Sequence, residues 1–191
     1  AGAGEQLMSK FGHISVRLVI CPDSDDAKDA CDSNLYEHLV LGFRAHVDEF
    51  NINSLKGLLG NYRSYLFANH FIDVYKEYAI GEFRDIYSLP LNLSKTEISN
   101  IVRSLAEIHW SYSGDYRFIN SNCSTLLQRA LKVVWDGMSP EPNLDEVYWR
   151  PDKLFHALSS SSLTAFERLT NLQLAEENGF YFPNTKPVYE K

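Results

Sequence analysis

Cys123 stands in the stretch INSNCSTLLQRALKVV (119–134), where a polar segment gives way to an apolar-periodic run. Leu126, Leu127, Ala130, Leu131 and Val134 share one helical face, with Gln128, Arg129 and Lys132 opposite. Asn122 or Ser121 is the predicted N-cap, which puts Cys123 in the first helical turn. Unpaired N–H groups and the positive end of the helix dipole favour thiolate there, and thiolate is the nucleophile. The same N–H groups suit the oxyanion of an acyl substrate. A cysteine hydrolase then needs an imidazole within hydrogen-bonding reach, first as base and then as acid. Set against this is the plainer role of free cysteine as a small core hydrophobe.

Six histidines compete for the base. His13 follows Gly12 and opens HISVRLVI (13–20), a strand pattern that puts Ile14, Val16, Leu18 and Ile20 on one face. His13, Ser15 and Arg17 fall on the other face, where an imidazole can meet a helix start. A second predicted strand, HLVLGFRAHV (38–47), puts Leu39, Leu41, Phe43, Ala45 and Val47 on one face and His38, Arg44 and His46 on the other, so His46 and His38 rank next. His70, His109 and His156 occupy ordinary helical positions.

The remaining elements must carry these groups. Residues 53–79 read as a helix through Leu55, Leu58, Leu59, Tyr62, Leu66 and His70, although Gly57 and Gly60 weaken its start. FRDIYSLPLNL (83–93) reads as extended, with Pro90 marking an edge. SKTE (94–97) is a capping box opening a helix through Ile98, Ile101, Val102 and Leu105. Helices are predicted over 151–159 and 162–178, the second stopped by Asn178-Gly179, and the tail after it has no periodicity.

Charge and cysteine usage exclude several functions. A net charge of −7 with scattered Lys and Arg argues against a nucleic-acid surface. No run approaches the apolar length of a membrane span, and the opening AGAGEQ does not have the apolar core of a signal peptide. Three cysteines without CxxC spacing make a zinc site improbable, and the acidic loop 21–34 departs from the calcium-loop pattern. Cys21 and Cys31 bracket that loop and either pair in an oxidising compartment or stay as two thiols. No metal or organic cofactor is implied.

Three segments resemble the Lnb N-terminal periplasmic domain family: EQLMSKFGHISVRL; FRDIYSLPLNLSKTE, with Arg84, Tyr87, Leu91, Asn92, Leu93 and Glu97; and YRFINSNCSTLLQRAL, with Tyr116, Phe118, Asn122, Cys123, Ser124 and Thr125. They occur in family order over roughly residues 5–135. That family is similar to the circularly permuted branch of the NlpC/P60 papain-like thiol hydrolases, in which the histidine strand precedes the cysteine helix. The resemblance implies an α+β, permuted papain-like fold, a small antiparallel sheet packed against helices. It also implies a Cys123–His13 catalytic pair. Candidates for the residue orienting the imidazole are His46, Arg44 and Asn122. The segment following the first strand departs from the family pattern, and Leu126 stands where the family has an arginine.

The chain is read as one domain, 1–191, with a catalytic core over 5–135 and a helical extension over 136–191. Arg84, Arg17, Ser124 and Tyr87 are the candidate substrate contacts. For Arg84, a structural pairing with Glu82 or Asp85 is an equal alternative; for Arg17 the structural role leads. The expected function is an envelope or periplasmic cysteine hydrolase cleaving an amide bond in a peptidoglycan peptide or lipoprotein, through a Cys123 acyl-enzyme. The alternatives are a lipid acyltransferase using the same pair, with aromatic residues of 62–87 lining an acyl groove, and a non-catalytic binding module. A membrane-proximal position is compatible with either enzyme, and nothing in the sequence reports oligomeric state.

Overall fold

Alternation along β2 (Leu39–His46) organises the molecule. Leu41 and Phe43 point to one side and join Ile14, Leu66 and Leu126 in the main core, while Val40 points to the other and joins Phe71, Val74 and Tyr78. Both faces of the sheet are therefore covered. The computed structural model describes residues 1–4, 10–21, 31, 35–46, 62–135 and 146–189. Most of the acidic loop and residues 53–61 lie outside the described residues.

The sheet is antiparallel, in the order β1 (Val16–Leu18), β2, β3 (Tyr62–His70), β5 (Gly114–Tyr116). Val16 pairs with Leu41, Phe43 with Leu66, and Tyr62 with Tyr116. β1 is shorter than the predicted 13–20, because the His13 backbone pairs with Ala1 instead. A second, two-stranded sheet joins β4 (Ile86–Tyr87) to β6 (Tyr181–Phe182). The fold is α+β, a small antiparallel sheet with helices packed on it.

Residues 62–70 are a strand, which corrects the helix predicted there. Tyr62, Leu66 and His70 recur every four residues, a spacing that fits a helical face and equally a two-residue alternation. Buried Tyr62, Ser64 and Leu66 alternate with more exposed neighbours, and the aromatic content suits a pleated surface. Among the described residues of that stretch, helical structure starts at α1 (Phe71–Tyr75), continued by a π-helical segment to Gly81.

α2 (Lys95–Ser111) begins with the predicted capping box: Ser94 Oγ accepts from the Glu97 N–H, and the Glu97 carboxylate accepts from the Ser94 N–H. Ile101 and Leu105 are buried. Ser94→Ala is expected to cost about 1 kcal/mol, read as a lower urea midpoint with unchanged slope.

α3 (Cys123–Trp135) lays Leu126, Leu127, Ala130 and Leu131 in the main core, as its periodicity predicts. Gln128, assigned to the polar face, is buried and accepts from the Tyr148 N–H at 2.9 Å. After α4 (Pro151–Ser159) the predicted helix over 162–178 is broken. Thr164 bridges to Leu91 and donates its hydroxyl to Leu158 O, competing with helix propagation. A 3-10 turn follows at Phe166–Leu169, and Asn171 then caps a new helix, α5 (Leu172–Glu177). The stop holds: Gly179 has φ +72°. The tail adds β6 and α6 (Lys186–Tyr189).

Candidate functional site

Asn122 fixes the start of α3. Its Oδ1 accepts from the Ser124 and Thr125 N–H groups at 3.0 and 3.2 Å, and its amide donates to Phe118 O and Trp149 O at 2.7 and 2.8 Å. Asn122 is thus the cap, and it consumes two of the N–H groups expected to serve an oxyanion. Ser124 is fully buried and donates its hydroxyl to Tyr148 O, so it faces the interior.

The Cys123 thiol is buried among the main-core residues and adjoins the Ile14 N–H and the Tyr116 hydroxyl. Burial pushes it above the ordinary thiol range despite those two donors. This corrects the expectation of a thiolate at the helix start. The dipole acts over one turn, whereas desolvation acts on the whole group. In the resting protein Cys123 is a neutral thiol.

His13 enters through a turn that requires glycine: Gly12 has φ +86°, and a Cβ there would lie 2.8 Å from Ala1 O. The His13 N–H donates to Ala1 O at 3.0 Å. Its ring stacks on Tyr78 with centroids 5.8 Å apart. Gly42 makes room for it, since a Cβ there would lie 3.3 Å from Nε2. Nε2 is buried without a hydrogen-bond partner. Burial, followed by nearby positive charge including Arg44 and Arg84, holds the imidazole well below its ordinary range. Adjacent residues therefore divide between two layers: His13 packs its ring on Tyr78, and Ile14 packs beside the thiol.

These shifts fix a pH dependence. His13 stays neutral when folded, so its contribution is present above the unfolded value of about 6.5 and is lost as pH falls through the folded one. Cys123 stays protonated when folded, so its contribution is present below about 8.5 and is lost as pH rises through its folded value. Urea midpoints across pH should show an acid limb of up to about 1.4 kcal/mol per pH unit from His13, and His13→Gln should flatten it.

The other candidates lie elsewhere. His46 is exposed at the end of β2, edge-on to Tyr65 at 5.8 Å. Arg44 pairs with Glu77 at 2.8 Å beside Tyr78. Arg84 is buried and donates to Gly2 O at 2.8 Å and Glu82 at 2.7 Å, the structural pairing weighed above, while its Nη2 has no partner. Arg17 ties β1 to His38, Ser88 and Gly179. Tyr87 lines a pocket with ring neighbours Tyr181 and Phe155.

That pocket, about 410 Å³, is walled mainly by Phe11, Ile14, Tyr87, Phe155, Phe166 and Leu169, with His13, Lys10 and Asp152 as polar members. Sequence reasoning gave no role to Phe11, although it lies in a quoted family segment, and passed over Phe155, Phe166 and Leu169, which carry no motif and converge only through the fold. Tyr116 stood within a quoted motif without a role, and Tyr78 was counted only among aromatic residues.

Fold and site together define an α+β domain with a buried helix-start cysteine next to the histidine-bearing wall of an apolar pocket. Residues 1–158 match the family model of the Lnb N-terminal periplasmic domain, and the chain belongs to that family. It is accordingly a protein of the periplasm or envelope. A disulfide joins Cys21 to Cys31, with Cα atoms 5.4 Å apart, in keeping with an oxidising compartment. No curated protein and no solved structure matches the chain.

Proposed function

We propose that the domain is a cysteine acyl-transfer enzyme of the envelope, in which Cys123 takes an apolar acyl group as a thioester. The observation that carries this reading is the pocket: His13 and Ile14, the residues leading to the thiol, both line it, and its walls are largely apolar. A histidine just before β1, ahead in the chain of a cysteine helix on a small antiparallel sheet, also fits a permuted papain-like arrangement.

In the substrate complex the unpartnered His13 Nε2 accepts the thiol proton, and the sulfur attacks the acyl carbonyl carbon. The Ile14 N–H and Tyr116 hydroxyl, which adjoin the sulfur, donate to the oxyanion. Collapse breaks the bond to the leaving group, which departs with the proton from His13. An acceptor hydroxyl, amine or water then gives its proton to His13, attacks the thioester and releases the thiol. Amide hydrolysis uses the same first half-reaction; an apolar pocket favours a lipid acyl donor over a cell-wall peptide.

Intact-mass analysis after incubation with phospholipid vesicles, or with peptidoglycan peptides, tests the reading. A long-chain adduct released by hydroxylamine is expected with lipid. The absence of an adduct with every donor would overturn the acyl-enzyme, and an adduct from the peptide alone would restore the amidase.

A further inference from the structure

The family match ends at residue 158, yet the pocket does not. Phe166 and Leu169, on the 3-10 turn that follows, supply part of its wall. We infer that this turn is the size gauge of the pocket, with Phe166 limiting the length of the apolar chain it admits. The inference rests on the acyl reading above and adds a determinant outside the segment that defines the family.

Three observations carry it. First, the turn is fastened on both sides to the extended stretch 88–92. Before it, Ala165 donates its N–H to Pro90 O at 3.0 Å, Asn92 donates to Leu163 O at 2.8 Å, and Leu91 bridges to Thr164. After it, Ser88 donates to Phe180 O at 2.7 Å. A wall held at both ends keeps its position when a chain presses on it. Second, the turn has an anchor and a variable member. Leu169 is buried with Ala175 and Phe180, whereas Phe166 is 41% exposed while still lining the pocket. Phe166 can therefore change size with little effect on the core. Third, the wall is apolar. Phe155, on α4, and Phe166 line it, and a hydrocarbon chain fills a largely apolar space without stranding polar groups of its own.

The magnitude follows from transfer free energies. Each buried methylene adds about 0.8 kcal/mol, about fourfold in affinity. A fully buried phenylalanine side chain corresponds to roughly two to four methylenes on the same scale, and the 41% exposed Phe166 to about one to two.

The test uses the full chain and straight-chain fatty acids of increasing length, competing with a fluorescent fatty acid. For the wild type, affinity should rise about fourfold per added methylene up to a limiting length. Phe166→Ala should move that limit up by about one to two carbons, and Phe166→Trp should move it down. Thermal melts close to wild type for both variants establish that they are folded. An unchanged limit in both folded variants overturns the gauge, as does a wild type that binds no fatty acid of any length. Neither result decides the acyl-enzyme, which stands or falls on the Cys123 adduct.

Discussion

Cys123→Ala is expected to erase the acyl adduct and to lower turnover at least about a thousandfold, while the protein stays folded. The nucleophile is the one group in the proposed mechanism that nothing nearby can replace. Cys123 is the free cysteine among the described residues, and its neighbours Tyr116 and Ser124 are a half-buried tyrosine and an inward-facing hydroxyl. Structurally the change is mild. Alanine suits a first helical turn, and removing one buried sulfur should cost about 1–2 kcal/mol. The companion is His13→Gln, which keeps a polar side chain at the same place without a titrating base. It should lose roughly 10²–10⁴ in rate, and the pH dependence of the remaining rate should lose the His13 limb. A variant within a few-fold of wild type would assign the base to another group. Because the resting thiol is neutral, alkylation of Cys123 without substrate should be slow at pH 7 and accelerate as pH rises.

What could be read from the sequence was local. Ser94 and Glu97 lie three residues apart and satisfy each other directly, so their capping box needed no tertiary information. The same holds for Asn122 as the cap of α3 and for the alternation in β2. Errors arose where a local signal was degenerate or where a distant group overrode it. The four-residue recurrence at Tyr62, Leu66 and His70 fits helix and strand alike, and pairing with β2 and β5 decides between them. Thr164 and Asn171 broke the predicted helix over 162–178 by hydrogen bonds a periodicity count does not register. The thiolate expected at Cys123 was a dipole argument, and the packing of Ile14, Leu126 and Leu127 around it is a property of the fold. The pocket was least legible of all. Its walls come from residues 1–3, 10–14, Tyr87, 151–155 and 166–169, most of them separated by long stretches of chain.

Arg17→Ala should be among the most damaging substitutions outside the reacting groups, lowering stability by about 3 kcal/mol and the melting temperature by roughly 6–12 °C. Arg17 sits in the middle of the strand that follows His13 and binds three parts of the molecule at once. Its Nε and Nη2 donate to His38 Nδ1 at 3.2 and 2.7 Å. Its Nη1 donates to Gly179 O at 2.7 Å and to Ser88 Oγ at 3.2 Å. The guanidinium also lies over the rings of Phe71, 4.3 Å away, and Phe182, 5.3 Å away. Truncation withdraws the donors from His38 and from the Gly179 carbonyl, at about 1–3 kcal/mol for each buried acceptor, and removes the cation–π contacts. Lysine should restore little, because one ammonium does not reproduce a planar fork with donors on two sides. The consequence extends to the pocket. Gly179 lies just before β6 and Phe182 is part of it, so releasing them loosens the support of the Phe166–Leu169 turn. Limited proteolysis of Arg17→Ala should therefore cut first within 160–189, before the main sheet is lost. If cleavage there and the melting temperature both match wild type, the arginine is not a structural tie, and a role toward substrate becomes the better account of it.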